Sequence, residues 1–262
     1  MAAAEYLLLF MDYDGTLVPL ADHPSQATLA PRTKRMLQQL ADQPGVRIAL
    51  VSGRSLKELQ RLVGLNTLCY VGNHGLEIAD AQLHHVNPLA KAHRPLLQRV
   101  ARQLRQALMP IPGAWVENKG LTVSVHYRCV SPQQAPAIKN AFYAAVRPYE
   151  AKRQVRVTTG KGVFELRPPV RWTKATVVRW LIARHTVRAA SVLPLYVGDD
   201  LTDEDAFEAL KNQGVTVAVG PSTPLTQAHY YVRTPGEVQR LLQRLLDART
   251  PRPRAPHATA TV

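Results

Sequence analysis

Cysteine is scarce in this sequence: Cys69 and Cys129 are the only two among 262 residues, and both fall inside apolar stretches. That excludes a disulfide framework and leads to the expectation of buried, reduced thiols in a cytoplasmic protein. Aromatic residues reach only 6%, and no aromatic-studded basic strand or recognition-helix motif occurs, so a nucleic-acid surface has little to support it. No apolar run approaches the ~20 residues of a membrane span. Residues 1–11 are apolar but carry neither a basic leader nor a cleavage site and run directly into Asp12, so neither a signal peptide nor a membrane partner is expected. Acidic residues are outnumbered by basic ones, 19 to 33, for a net charge of +14. Apolar residues, at 46%, suffice for a sizeable core and describe a folded globular protein.

Short, unbroken apolar runs suit parallel strands covered on both faces. They occur at residues 6–11 (YLLLFM), 46–51, 68–71, 192–197 (with one proline) and 215–219. Between them, residues 32–41, 56–63, 174–185 and 203–212 carry apolar side chains three and four apart, a helical spacing. The last helix has a capping-box-like start at Thr202 with Asp205 three residues on. Strand and helix alternate, so the fold class is α/β, built on an open, largely parallel sheet. In such a sheet, ligands bind beyond the carboxyl ends of the strands. The polar tails there are Asp12-Tyr13-Asp14-Gly15-Thr16, Ser52-Gly53-Arg54, Gly72-Asn73-His74-Gly75 and Gly198-Asp199-Asp200, and all are expected at one place.

Two carboxylates two residues apart at a strand end can face one phosphorus atom. Asp12 would then attack while Asp14 exchanges a proton with the departing oxygen. A phosphate dianion beside carboxylates is repelled by about 4 kcal/mol per charge pair at 4 Å and an effective dielectric near 20, so counter-charge is required. Magnesium, which favours one or two carboxylates plus substrate phosphate, could be held by Asp12, a carbonyl near Asp14, and Asp199, with Asp200 and Asp203 behind them. Ser52 offers a hydroxyl to a phosphate oxygen. Lys174, next to the candidate N-cap Thr173 at a helix start, is a cation opposing the helix dipole, which suits a fixed anionic partner. Taken singly, an Asp-x-Asp pair, a Ser-Gly-Arg or an exposed lysine is unremarkable; their combination points to magnesium-dependent phosphoryl transfer. Gly15 permits a sharp turn after the acids, and Thr16 is a candidate cap for the loop that follows.

The middle of the chain breaks the α/β rhythm. A basic amphipathic helix over about 91–108 precedes a hairpin of residues 115–118 and 121–127. A helix near 133–146 follows, and then a hairpin of 155–159 and 163–166. This reads as an α+β lid inserted in the sheet domain: core over 1–88 and 169–247, cap over 89–168, and a disordered tail over 248–262. Residues 91–171 hold a net +12 and the remainder only +2. A basic lid could steer an anionic small molecule, or be a solvated basic face, or, least supported, meet a polyanion.

In this order and on these elements, Asp12-Tyr13-Asp14-Gly15-Thr16, Ser52, Lys174 and Gly198-Asp199-Asp200 resemble the haloacid dehalogenase superfamily of phosphohydrolases. Four stretches are similar, more narrowly, to the trehalose-6-phosphate phosphatases: residues 72–77 (GNHGLE), 116–120 (VENKG) with 125–128 (VHYR), 164–168 (FELRP) and 198–207 (GDDLTDEDAF). The resemblance covers about residues 5–245 and implies a Rossmann-like core with an α+β cap inserted between the second and third motifs. It implies hydrolysis of trehalose 6-phosphate to trehalose and phosphate through an aspartyl-phosphate, as the final step of trehalose biosynthesis, with magnesium. It places phosphate contacts on Ser52, Gly53 and Lys174. Sugar contacts fall on Glu117, Lys119 and Glu165 of the cap and on Asn73, His74 and Arg54 of the core. The family's Lys-Gly is Lys174-Ala175 here. The alternatives are a phosphatase of sucrose phosphate, mannosylglycerate phosphate or a hexose phosphate, and a basic binding module without catalysis. A trehalose-6-phosphate synthase is a possible partner for the basic lid.

Overall fold

The computed structural model describes residues 6–21, 24–160, 162–186, 191–221 and 226–249. Strand β1 (Tyr6–Met11) shows how the sequence sets the architecture. Its apolar run is buried on both faces: Leu7, Leu9 and Met11 enter one core cluster, and Leu8 and Phe10 enter another. Parallel neighbours flank it, β2 (Val46–Val51) on one side and β10 (Val192–Gly198) on the other. Outward from these lie β3 (Cys69–Gly72) and β11 (Val215–Val219), then β12 (Tyr230–Val232). Beyond β3, β4 (Glu77–Asp80) and β5 (Leu83–Val86) continue the sheet antiparallel. The order is β12-β11-β10-β1-β2-β3-β4-β5. The chain moves outward from β1 through β2 and β3, then returns to the other flank at β10, so the switch in strand order falls at the ends of β1 and β10.

Helices cover both faces. α1 (Pro31–Ala41), α2 (Leu56–Val63) and α8 (Pro235–Arg249) bury Leu37, Leu40, Leu59, Val63 and Leu242 in the first cluster. α6 (Lys174–Thr186) and α7 (Leu201–Leu210) bury Val177, Val178, Leu181 and Phe207 in the second. Ser55 caps α2 by accepting the Glu58 N–H, and Gly64 closes it at a positive φ of 61°, both standard helix-end chemistry. The α7 cap is corrected by two residues: Asp200, not Thr202, is the N-cap, and Asp203 completes the capping box. Asp200 keeps extended backbone and its carboxylate accepts the Leu201 N–H at 2.8 Å, so the helix starts earlier than apolar spacing suggests.

Between β5 and α6 the chain builds α3 (Pro88–Ala92), α4 (Arg94–Leu108) and α5 (Ala135–Ala151). These accompany an antiparallel sheet of order β6-β7-β9-β8, comprising β6 (Trp115–Asn118), β7 (Val123–His126), β8 (Arg156–Gly160) and β9 (Val163–Arg167). Val123, Val125, Phe164 and Leu166 on one face pack with Leu97, Leu104, Phe142 and Val146 of the two long helices. The other face carries polar residues, because successive side chains alternate.

Three further expectations meet the structure here. Cys69 is half-buried and its thiol is pushed up to about 12 by burial, with Asp80 adding to the effect. Cys129, expected to be buried, is exposed in the turn after β7. Ala248 and Arg249, assigned to the tail, belong to α8; the rest of that tail lies outside the described residues. No helix among the described residues is long and apolar enough to cross a membrane.

Phe142 is fully buried and stacks on Phe164 with ring centroids 4.7 Å apart. Phe142→Ala is therefore expected to cost about 3 to 5 kcal/mol, read from the urea midpoint of the transition that reports the second sheet.

Candidate active site

The carboxyl end of β1 places Asp12 against the end of β10 and the start of α6. Asp12 is 6% exposed, and the ammonium of Lys174, 2% exposed, lies 3.2 Å from its Oδ1. The same ammonium lies 2.7 Å from Oδ1 of the fully buried Asp203. Burial disfavours the Lys174 ammonium, but the charges of Asp12 and Asp203 outweigh it and hold its pKa above the ordinary lysine value. Burial pushes Asp12 well above the usual carboxylate range; Lys174 pulls it down, while Asp203, Asp199 and Asp14 push it further up.

Asp203 is saturated with donors. Besides Lys174, its Oδ1 accepts the Tyr196 hydroxyl at 2.6 Å, and its Oδ2 accepts the Asp200 backbone N–H at 3.0 Å. Tyr196 is fully buried on β10, and burial together with the Asp203 carboxylate raises its phenol well above the ordinary value. Gly198 is needed beside this carboxylate, since a Cβ there would collide with Asp203. Thr16 does not simply cap the loop after the acids: its hydroxyl donates to Asp199 Oδ1 at 3.2 Å. Carboxylate oxygens of Asp12, Asp199 and Asp203 gather within 4.8 Å of one another. These hard oxygen donors suit magnesium, although the donors already on Asp203 leave it in support rather than facing a cation.

Asp14 lines the same cleft, and both its oxygens are taken. Arg54 Nε donates to Oδ2 and Nη2 to Oδ1, each at 2.7 Å. Glu58, one turn into α2, takes Nη1 at 2.6 Å, and the guanidinium also lies 5.5 Å from the Tyr13 ring centroid. Asp14 must be released from this fork before it can reach a departing oxygen. Ser52, buried at the end of β2, accepts the Arg54 N–H at 3.2 Å. Thr173 and Thr176 exchange hydroxyl–amide contacts at 3.4 Å at the start of α6, supporting Thr173 as its cap.

Facing this floor is one rung of the second sheet. The register aligns Glu117 with Ser124, Ser124 with Glu165, and Glu165 with Thr158, so a row of polar side chains crosses four strands on the face away from the helices. Glu165 is buried. Burial alone would raise its pKa, but His74, Lys119 and Arg167 hold it well below the usual carboxylate range. Burial acts likewise on Glu117, and there His126, whose Nε2 is 2.9 Å from Oε2, Lys119 and Arg54 turn the balance downward. Lys119 reaches across the cleft: its Nζ donates to the Gly53 carbonyl at 3.0 Å and lies 3.3 Å from Glu165 Oε1.

Asn73 and His74 adopt left-handed backbone, with φ of 47° and 56°. Asn73 accepts the Thr122 hydroxyl at 2.8 Å and donates to Glu77. His74 Nε2 lies 2.9 Å from Glu165 Oε2. A Cβ on Gly53 would meet the His74 ring, so the glycine lets the imidazole sit over the end of β2. Asp12, Asp14, Ser52, Gly53, Arg54, His74, Glu117, Lys119, Glu165, Lys174, Asp199 and Asp200 line one cleft. Asn73 and Asp203 stand behind it. Tyr196, Ser124, His126, Glu58 and Arg167 were not anticipated. The alternation of residues 121–127, with Ser124 and His126 on its polar side, is the signal that points to those two, whereas only the fold brings Tyr196 to Asp203.

A family model described as trehalose-phosphatase matches residues 10–235. The trehalose-phosphate phosphatase of Mycobacterium marinum is 40% identical over 242 residues, covering 90% of this chain and 60% of that protein. The chain thus spans about 60% of the length of the curated relatives it matches. Among solved structures, the C-terminal domain of the Candida albicans trehalose-6-phosphate phosphatase superposes with a TM-score of 0.79, at 26% identity over 93% of each chain. A haloacid dehalogenase-like hydrolase from Bacteroides thetaiotaomicron shares the fold, with a TM-score of 0.64, 18% identity, and coverage of 92% of this chain and 99% of its own.

Burial sets a pH dependence of stability. It lowers the His74 imidazole to about 4 from 6.5, outweighing the opposing pull of Glu165. Between those values the unfolded chain binds a proton that the folded chain refuses, so stability is full above pH 6.5 and falls by about 3 kcal/mol as pH drops to 4. His74→Asn, which tolerates left-handed backbone, should flatten this segment of the curve of urea-derived stability against pH; an unchanged slope would remove His74 as its source.

Proposed function

The chain belongs to the trehalose-phosphatase family, and on that premise we propose that it hydrolyses trehalose 6-phosphate to trehalose and inorganic phosphate. The observation that carries this reading is the pairing of Asp12 with a buried lysine beneath a rung of polar groups that faces the same cleft. The floor is built for a phosphoryl group and the roof for hydroxyls. Glu117, Ser124, Glu165 and Lys119 supply both acceptors and donors, as a non-reducing disaccharide that presents only hydroxyls requires.

In the proposed sequence, Ser52, the backbone at Gly53, and Lys174 hold the phosphate oxygens. A carboxylate oxygen of Asp12 attacks phosphorus in line, and the bond from phosphorus to the sugar oxygen breaks. The departing oxygen takes a proton from Asp14, leaving sugar alcohol and an aspartyl-phosphate on Asp12. Water then attacks that phosphorus while Asp14 takes back a proton, and phosphate leaves with Asp12 regenerated. Asp14 enters this cycle only when Arg54 lets go of it. A substrate that draws the guanidinium onto its own oxygens would make that exchange, coupling recognition to acid–base chemistry. Arg54 therefore joins His74, Glu117, Lys119 and Glu165 in substrate binding, while Asn73, behind the cleft, fixes the turn that presents His74.

Asp12, Asp199 and the backbone carbonyl of Asp14 would hold magnesium, with Asp200 and Asp203 in support. The ion would neutralise the dianion as it meets Asp12. The second sheet with its helices is the substrate cap, closing over the phosphate through Lys119 and Glu165 and excluding water.

Asp12→Asn is expected to abolish phosphate release from trehalose 6-phosphate while leaving the circular dichroism spectrum unchanged; full turnover would remove the nucleophile assignment. Chelation should stop the reaction and added magnesium restore it. Glu117→Ala should lower kcat/KM for trehalose 6-phosphate by about 10² or more, since it leaves charged partners unpaired. It should alter hydrolysis of a small aryl phosphate little. Equal losses on both substrates would place Glu117 outside sugar recognition, and faster release from sucrose or hexose phosphates in the same panel would redirect the substrate.

A further inference from the structure

Glu117 does not meet the cleft with both of its carboxylate oxygens. Its polar contacts within the protein fall on Oε2, which lies 2.9 Å from His126 Nε2 and 4.0 Å from Lys119 Nζ. Oε1 takes no hydrogen bond among the described residues, and it is not one of their sealed, unpaired polar atoms. Since Glu117 lines the catalytic cleft, Oε1 is the oxygen left for a ligand. The carboxylate is divided, one oxygen held by the protein and the other offered.

A square of side chains on the cleft face of the small sheet makes this division. Trp115 and Glu117 are two apart on β6 and share a face, and the register sets Trp115 against His126 and Glu117 against Ser124 of β7. His126 therefore stands diagonal to Glu117, a separation that long side chains span. A carboxylate only accepts, so the imidazole proton sits on Nε2 and points at Oε2. Lys119 is a poorer clamp, because its ammonium is drawn away to the Gly53 carbonyl at 3.0 Å and to Glu165 at 3.3 Å.

The imidazole is itself fixed. It lies flat on the Trp115 indole, with ring centroids 4.0 Å apart and planes 7° from parallel. Such stacking sets the plane of the ring and with it the direction of the Nε2–H bond. β6 is the edge strand of its sheet, so no neighbouring strand among the described residues supports Glu117 from that side; the stacked pair does. His126 lines the cleft, whereas Trp115 is half-buried outside that lining. Trp115 can act on a substrate only through His126 and Glu117.

We propose that Trp115 and His126 are positioning residues for sugar recognition: the stacked pair holds Oε2 of Glu117 and thereby aims Oε1 at one hydroxyl of the sugar. The inference rests on the reading of Glu117 as a sugar contact. The pair takes no part in the chemistry at Asp12, so its loss acts on KM rather than on kcat.

The test is steady-state kinetics on the sugar phosphate that the parent chain hydrolyses fastest. A parent that prefers another sugar overturns the trehalose assignment alone, and one that hydrolyses none overturns both readings. His126→Phe keeps a ring on Trp115 but removes the donor, so KM should rise about tenfold, the scale of a lost hydrogen bond to a charged group. His126→Gln, which restores an N–H, should recover most of that loss. Trp115→Leu frees the imidazole and should raise KM about threefold; it keeps the test open should the phenylalanine variant misfold. A double-mutant cycle separates positioning from a merely structural role, because neither substitution should cost anything further once Glu117→Ala is in place. The proposal fails if kcat falls while KM holds, if His126→Phe is as costly without Glu117 as with it, or if His126→Phe and Trp115→Leu, both with the parent's thermal midpoint, leave KM at the parent value.

Discussion

The ammonium of Lys174 sits between two buried carboxylates, 3.2 Å from Asp12 and 2.7 Å from Asp203. Three groups taken out of water together would each cost several kcal/mol if left alone. Placed against one another, with Tyr196 and the Asp200 backbone completing the hydrogen bonding of Asp203, they become mutually supporting. The arrangement draws on four separated segments: the end of β1, the start of α6, the body of β10 and the first turn of α7. It is possible only because the strand order switches between β1 and β10. The parallel sheet, the sharp turn at Gly15, the close approach that Gly198 allows to Asp203, and the capping box of α7 all serve to bring these charges to one point.

A second layer of organisation comes from strand alternation. In the small sheet one face is spent on the Phe142–Phe164 core, which leaves Glu117, Ser124, Glu165 and Thr158 in register on the other. Lys119 and the Asn73–His74 pair tie that face to the floor through the Gly53 carbonyl, Thr122 and Glu165. The left-handed backbone at Asn73 and His74 is unusual for residues other than glycine. It is held by these cross-cleft contacts, so the local strain and the closed arrangement of the two sheets belong together.

Much of this was legible in the sequence because it is local. Apolar runs located β1, β2 and β11 to the residue and β3 and β10 to within one, and the polar tails after β1, β2, β3 and β10 named Asp12, Asp14, Ser52, Asn73, His74 and Asp199. What escaped is long-range or short. β4 (EIAD), β5 (LHHV) and β12 (YYV) are short and carry only one or two aliphatic residues each, so neither an apolar run nor an alternation marks them. Helix α8 does carry one, through Val238, Leu242 and Leu245, yet it lies beyond the last chemical motif. That Arg54 would grip Asp14, or that Tyr196 would brace Asp203, depends on which strand ends become neighbours, and no spacing in the chain encodes that. The thiol of Cys129 shows the opposite error, an apolar neighbourhood in sequence that the fold leaves at the surface.

The account depends most directly on the charge of Lys174. Replacing it with methionine keeps the length and apolar stem of the side chain but strands Asp12 and Asp203. Urea unfolding at neutral pH should then show a loss of about 3 to 5 kcal/mol, much of it recovered when Asp203→Asn is added. An unfolding midpoint for Lys174→Met equal to that of the parent chain would contradict the claim that this ammonium holds the site together.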